Sequence, residues 1–242
     1  MRTVKNVQII CLPYAGGNRY SFKGFANQLT DYLDFKTLEL PGRGKRFKQP
    51  LLDDFFAMVD DIYQQILPRL DRDYILYGHS MGGILGNALI HKLKTNKKKT
   101  PLFFLVTGCS APQNRKDDVI LNTLNDFDFK KELNEMGGFP DEVLNNKELM
   151  SLLLPIIRAD IIALEKVKYD FKEKHNVPII LGVGKGEELE HKHIYSWQLE
   201  TTESLEVHIY EGNHFFILEH FANLAKIVLE KLSELKNNQI LS

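Results

Sequence analysis

Short hydrophobic runs alternate along the chain with longer stretches in which apolar side chains recur every three or four positions. The short runs are typical of strands buried on both faces, and the longer stretches are typical of amphipathic helices. The alternation predicts six strands, over Val7–Leu12, Phe35–Leu40, Tyr74–Tyr77, Leu102–Thr107, Val177–Val183 and Leu205–Tyr210.

Apolar residues at helical spacing fill most of the segments between these strands. Helices are predicted over Phe22–Leu29, Phe55–Leu70, Gly83–Ile90 and Phe216–Leu232. Strands that alternate with helices in this way form a mostly parallel sheet covered by helices on both faces. The pattern therefore predicts an α/β protein with helices on both faces of a mostly parallel sheet.

The segment at about 114–170 interrupts the alternation, because it contains helical patterns and no convincing strand. One pattern includes Leu121, Leu124 and Phe127, and a second runs from Val143 to Leu164, with Pro155 expected to kink it. An excursion of this length exceeds what a connecting loop needs. We interpret it as a helical lid inserted over one edge of the sheet. The alternative is a pair of packing helices with no gating role.

Composition narrows the classes of function. With 242 residues, of which 43% are hydrophobic, the chain is expected to form one domain over residues 1–242. The formal charge of −1 gives no indication of a nucleic-acid partner. Cys11 and Cys109 are expected to be buried thiols in a reducing compartment. No signal peptide or membrane span is predicted, so we expect a cytoplasmic monomer without membrane contact. His191 and His193 lack further ligands, so no metal or cofactor is expected.

A Gly-x-Ser-x-Gly sequence follows the third predicted strand directly. Gly78, Ser80 and Gly82 supply its fixed positions, and a helical pattern begins immediately after it. A strand that turns sharply into a helix exposes the serine hydroxyl at the edge of the sheet, and small flanking residues permit the turn. This context predicts an α/β-hydrolase fold in which Ser80 is the catalytic nucleophile.

A serine nucleophile needs a histidine base, and the histidine needs a carboxylate that orients it. In α/β-hydrolase order the acid follows the serine and the histidine comes last. His214 is the predicted base because it directly follows the last strand. Glu187 is the predicted acid because it lies three residues past the glycine that ends the fifth strand. Glu188 is its nearest competitor, and Asp160 is a remote one.

Acyl transfer also needs hydrogen-bond donors for the oxyanion that forms on the substrate carbonyl. The N–H of Met81, the residue after the nucleophile, is one predicted donor. The second is expected from the loop after the first strand, where two glycines permit a close approach of the backbone. Ala15 is the most suitable residue there, and a plain turn is the alternative.

Six stretches are considered together: Cys11–Gly17, Leu40–Gly44, Gly78–Gly83, Met136–Pro140, Leu154–Asp160 and Gly212–His214. The Gly-x-Ser-x-Gly motif within Gly78–Gly83 would fit any α/β hydrolase, whereas Leu40–Gly44 and Met136–Pro140 are far more specific. Together they resemble the type II (editing) thioesterases that accompany nonribosomal peptide synthetases (NRPS) and polyketide synthases (PKS). The resemblance extends over nearly the whole chain.

This resemblance implies hydrolysis of acyl or aminoacyl groups held on the phosphopantetheine arm of an acyl or peptidyl carrier protein. It also implies that the lid shapes the acyl pocket, with Met136, Phe139 and Ile157 as substrate-binding residues. Members of the family usually have aspartate where this chain has Glu187.

A basic stretch adds one observation about the partner. Arg43, Lys45, Arg46 and Lys48 lie close together without an intervening acid. Since carrier proteins are usually acidic near the arm, a basic rim would favour encounter, although a solvated loop explains the same residues. Three rival functions share the sequence features: a carboxylesterase or lipase, medium-chain acyl release from a fatty-acid synthase, and a non-catalytic binding module.

Overall fold

The computed structural model describes most of the chain, over residues 6–114, 121–135, 146–169, 171, 173–187 and 191–240. Six parallel strands form one sheet in the order β2-β1-β3-β4-β5-β6. Their bounds are β1 Val7–Leu12, β2 Asp34–Thr37, β3 Asp73–His79, β4 Phe104–Thr107, β5 Ile179–Gly184 and β6 Leu205–Tyr210.

Seven α-helices accompany these strands within the described residues. They are α1 Lys23–Leu29, α2 Phe55–Ile66, α3 Met81–Thr95, α4 Asp126–Glu135, α5 Lys147–Lys166, α6 His191–Tyr195 and α7 Ile217–Ile240. The predicted α/β class and mostly parallel sheet are confirmed. The short helix α6 was not predicted.

Alternate residues of each strand face opposite sides of the sheet, so one strand contributes to two cores. Ile10 on β1 packs in a core with residues of α2 and α3. Its neighbours Ile9 and Cys11 pack on the other side with α1 and α7. All six residues of β1 are buried, which explains the continuous hydrophobic run in the sequence.

Four of the six predicted strands have other bounds in the structure. The third is longer than predicted at both ends, since it covers Asp73–His79 instead of Tyr74–Tyr77. The larger differences lie in the second, fourth and fifth strands. The second strand ends at Thr37 rather than Leu40, because the chain leaves the sheet after a last hydrogen bond from Leu38 N to Cys11 O. The fourth begins at Phe104, two residues later than predicted. The fifth begins after Pro178, which has no N–H to donate to the ladder.

Helices α4 and α5 pack against each other through a small core of their own. Its buried members are Phe129, Leu133, Met150, Leu154, Ile157 and Ile161. Phe127, part of the predicted helical pattern, is 78% exposed, so Phe129 rather than Phe127 faces this core. Asn146 caps α5 by accepting a hydrogen bond from Leu149 N, and the helix continues through Pro155.

Candidate active site

Ser80 lies between β3 and α3 in a backbone conformation that is unfavourable for residues with a side chain, at φ 53° and ψ −120°. Its N–H donates to Thr107 O at 2.8 Å, which holds the turn against β4. The flanking glycines make the turn possible. A Cβ atom at Gly78 would lie 2.2 Å from Gly82 O, and one at Gly82 would lie 2.0 Å from Leu12 O.

The loops after β5 and β6 bring two further side chains to this turn. His214 Nε2 lies 3.0 Å from Ser80 Oγ, and His214 Nδ1 lies 2.8 Å from Glu187 Oε1. When Nδ1 carries the ring proton it donates to the carboxylate, and Nε2 accepts from the serine hydroxyl. The structure thus brings Ser80, His214 and Glu187 into one hydrogen-bonded chain. We call it the Ser–His–Glu chain.

Close backbone contacts fix these two loops relative to each other. Gly186 N donates to Gly212 O at 2.9 Å, and a Cβ atom at Gly184 would lie 2.8 Å from the same oxygen. Glu187 Oε2 accepts a hydrogen bond from Gly184 N at 2.9 Å. The glutamate side chain therefore folds back over its own turn, which accommodates the methylene group that an aspartate would lack.

A second histidine lies beside the Ser–His–Glu chain. His79 is fully buried, its ring centroid lies 5.0 Å from that of His214, and its Nδ1 lies 2.9 Å from Thr107 Oγ1. Tyr77 OH lies 3.1 Å from the same threonine oxygen. Burial, reinforced by the His214 ring, holds the pKa of His79 well below its ordinary value. His79 is therefore neutral at neutral pH and cannot repel a protonated His214.

The loop after β1 lies next to the serine turn, because Leu12 pairs with Gly78 across the two strands. Gly17 N donates to Tyr14 O at 2.8 Å, which closes a turn around Ala15 and Gly16. Met81 begins α3, where the first N–H groups of a helix have no acceptor within it. Both predicted oxyanion donors thus belong to backbone segments at the carboxyl end of β1 and β3.

Asp160 on α5 does not contact the Ser–His–Glu chain. Its side chain is fully buried, forms a bidentate ion pair with Arg43 at 2.6 and 2.7 Å, and accepts the N–H of Gly16 at 2.7 Å. Sequence reasoning missed this pairing. The available signal was a carboxylate at helical spacing from Ile157 and Leu164, on the apolar face of its helix.

Of the remaining candidate residues, the structure describes Ile157 but not Met136, Phe139 or Glu188. Ile157 is buried and lies against the loop after β1, since a Cβ atom at Gly16 would come within 2.6 Å of its Cγ1.

The prediction of a basic rim was wrong for two of its four residues, Arg43 and Arg46. Arg43 is buried on Asp160, and Arg46 forms a bidentate pair with Asp61 at 2.6 Å. Lys45 and Lys48 are exposed, so they remain available to a partner.

The described residues contain neither a metal-binding cluster nor a membrane-spanning helix. No group of three or more His, Cys, Asp or Glu side chains there is arranged to hold a metal ion. No helix in the same part of the chain combines the length and apolar character needed to cross a bilayer.

A parallel sheet with a serine on a strained strand-to-helix turn, and a histidine and a carboxylate on later loops, defines the α/β-hydrolase class. The profile of the Thioesterase domain family matches residues 7–232. The chain therefore belongs to the thioesterase family and is a thioester hydrolase.

Individual relatives agree with this assignment. The medium-chain S-acyl fatty acid synthase thioesterase of Rattus norvegicus is 27% identical over 234 residues, which cover 95% of this chain and 89% of that protein. The crystal structure of ClbQ from the colibactin NRPS/PKS pathway matches with a TM-score of 0.90 and 32% identity, covering 96% of this chain and 99% of that one. The type II thioesterase BorB from the borrelidin biosynthetic cluster matches with a TM-score of 0.85 and 27% identity, covering 93% and 91%. The resemblance to type II thioesterases is confirmed.

Proposed function

We propose that this thioesterase hydrolyses acyl and aminoacyl thioesters on the phosphopantetheine arm of carrier proteins. In this role it removes misloaded or stalled groups from an NRPS or PKS. The observation that carries the proposal is the Ser–His–Glu chain, in which His214 bridges Ser80 at 3.0 Å and Glu187 at 2.8 Å. The relatives from NRPS/PKS pathways support the choice of substrate.

In the proposed mechanism His214 Nε2 accepts the hydroxyl proton while Ser80 Oγ attacks the thioester carbonyl. The N–H groups of Ala15 and Met81 stabilise the oxyanion that forms. Collapse of the intermediate breaks the carbon–sulfur bond, and His214 returns the proton to the departing thiolate. Water, activated by the same imidazole, then releases the acid from Ser80. Glu187 stabilises the imidazolium in both halves of the reaction.

We also propose that the segment at about 114–170 is the lid of the acyl pocket. Helices α4 and α5 support this role because they share a core separate from the two cores of the sheet. Ile157 lies in that core and against Gly16, so it joins the lid to the loop of the proposed oxyanion hole.

The fatty-acid synthase relative favours a second candidate, the release of medium-length acyl chains. Hydrolysis of one carrier protein loaded with short acyl, aminoacyl and medium acyl groups separates the two. Comparable or faster turnover of short and aminoacyl groups supports editing. A strong preference for medium chains supports chain release. Efficient hydrolysis of oxygen esters with no turnover of any loaded carrier would contradict both and indicate a carboxylesterase.

A further inference from the structure

The carboxylate of Asp160 joins three parts of the chain that are far apart in sequence. It lies on α5, it pairs with Arg43 from the loop after β2, and it accepts the N–H of Gly16 from the loop after β1. Both side chains of the ion pair are at most 1% exposed. Because Arg43 compensates the buried charge, the carboxylate can bind a backbone N–H without leaving an unpaired ion in the core.

This contact controls the orientation of the loop at Ala15. The peptide that contains the Ala15 N–H is held on one side, because its carbonyl, Tyr14 O, accepts Gly17 N at 2.8 Å. The next peptide is held by the bond from Gly16 N to Asp160. In a trans peptide the N–H points opposite to the C=O, so fixing both planes fixes the direction of the Ala15 N–H.

We propose that Asp160 is a positioning residue that holds the oxyanion hole in its productive geometry. The inference rests on the proposed function, in which Ala15 N–H is an oxyanion donor. It gives Asp160 a role different from that of triad acid, because the carboxylate acts through Gly16 and has no contact with His214. Asp160 and Ile157 both extend from α5 to Gly16 in the loop after β1. The position of α5 and the geometry of the proposed oxyanion hole are therefore coupled.

The test uses two variants that remove the carboxylate in different ways. Asp160→Asn removes the charge and leaves Arg43 buried and unpaired, so it is expected to lower stability as well as activity. The double variant Arg43→Met/Asp160→Leu replaces the ion pair by apolar side chains, a change that often preserves stability. It still lacks the acceptor for Gly16 N. A matched control is Asp61→Asn, which removes the charge that pairs with Arg46 on the same loop. Among the described residues the Asp61 side chain hydrogen-bonds to Arg46 and Gln65, not to Gly16 or α5.

The substrate is an acetyl N-acetylcysteamine thioester, and a trifluoromethyl ketone analogue, which forms a hemiketal oxyanion on serine, serves as inhibitor. Loss of a whole oxyanion donor lowers kcat about 100- to 1,000-fold, so a misplaced donor is expected to lower it about 10- to 100-fold. In the double variant we expect that loss in kcat, a KM within about twofold of wild type and a matching rise in inhibitor Ki. Asp61→Asn should keep the wild-type kcat and Ki.

A folded double variant with wild-type kcat and Ki would overturn the inference and leave Asp160 a purely structural residue. Equal losses in Asp61→Asn would do the same. If the wild-type enzyme shows no turnover that depends on Ser80, the proposed function itself fails, so the two failures are distinguishable.

Discussion

The strained backbone of Ser80 predicts that the position is optimised for reactivity at the expense of stability. Its φ of 53° and ψ of −120° lie where a Cβ atom is unfavourable. Glycine tolerates such angles, whereas alanine keeps the strain. Ser80→Gly and Ser80→Ala both lack Oγ and its contact with His214, so a comparison of the two isolates the cost of the conformation.

The difference in stability between Ser80→Gly and Ser80→Ala follows from two opposing contributions. Backbone strain of this kind costs about 1–3 kcal/mol. Glycine adds conformational entropy to the unfolded chain, which costs about 0.5–1 kcal/mol. Ser80→Gly should therefore be more stable than Ser80→Ala by about 1 kcal/mol. For a chain of this length, that difference corresponds to a Tm higher by about 2–4 °C.

Urea unfolding and differential scanning calorimetry of the two inactive variants measure this difference directly. Gly86→Ala is not a suitable control, because its Cβ atom would lie 2.6 Å from the Phe104 ring. An exposed helical position such as Lys236, compared as Lys236→Ala and Lys236→Gly, provides the control: glycine should be the less stable there. Equal stability of the two Ser80 variants, or a more stable alanine, would refute the argument from strain.

Three further predictions concern the acid, pH dependence and the surface. Glu187→Gln should lower kcat at least about 100-fold, and far more than Glu188→Gln, because an amide cannot stabilise the imidazolium; steady-state kinetics measures both. Burial lowers the pKa of His175 to about 3, below its unfolded value of about 6.5. Its neutral form therefore adds stability above pH 6.5 that is lost as the pH falls towards 3, and His175→Gln should flatten urea-derived stability between pH 6 and 4 by up to about 1.4 kcal/mol per pH unit. Lys45→Glu/Lys48→Glu should lower kcat/KM on an acidic acyl-carrier about tenfold and leave acyl N-acetylcysteamine turnover unchanged, which parallel assays would show.

Each of these predictions has an outcome that contradicts it. Equal effects of the two glutamate substitutions would remove Glu187 as the acid. An unchanged pH slope in the His175 variant would mean that this ring takes up its proton before the protein unfolds. Lys97→Glu/Lys98→Glu makes the same change of charge on the exposed turn after α3, at the opposite end of that helix from Ser80. An equal loss in this control would show that net charge, rather than the site, determines encounter.

The strands that could be predicted well are those whose ends coincide with a change in hydrophobicity. β1 and β6 have the predicted bounds, because polar or turn-forming residues follow Leu12 and Tyr210 closely. The end of β2 was predicted too late because Leu38 and Leu40 are apolar and buried. They pack in the core between the sheet and helices α2 and α3 after the chain leaves the sheet. Hydrophobicity indicates burial, and burial alone does not distinguish a strand from a packed loop.

The candidate site likewise contains residues that a local sequence pattern predicts and residues that only the tertiary structure brings together. Ser80, His214 and Glu187 each follow a strand, so their approach at one edge of the sheet follows from topology alone; their catalytic roles remain predictions. The pair Arg43–Asp160 joins residues 117 positions apart, and no local pattern specifies it. From the sequence, Arg43 suggested part of a basic rim and Asp160 suggested a remote alternative for the triad acid. Only the packing of α5 on the two loops shows that they bind each other.

The most direct test of the central claim is to identify the atom that carries the acyl group during turnover. The enzyme is mixed with excess acetyl-loaded carrier protein, quenched in acid within one turnover time, and examined by intact-protein and peptide mass spectrometry. The account predicts an acetyl adduct on the peptide containing Ser80, absent in Ser80→Ala and greatly reduced in His214→Ala. Thioester hydrolysis that persists in Ser80→Ala, or an adduct on another residue, would contradict it.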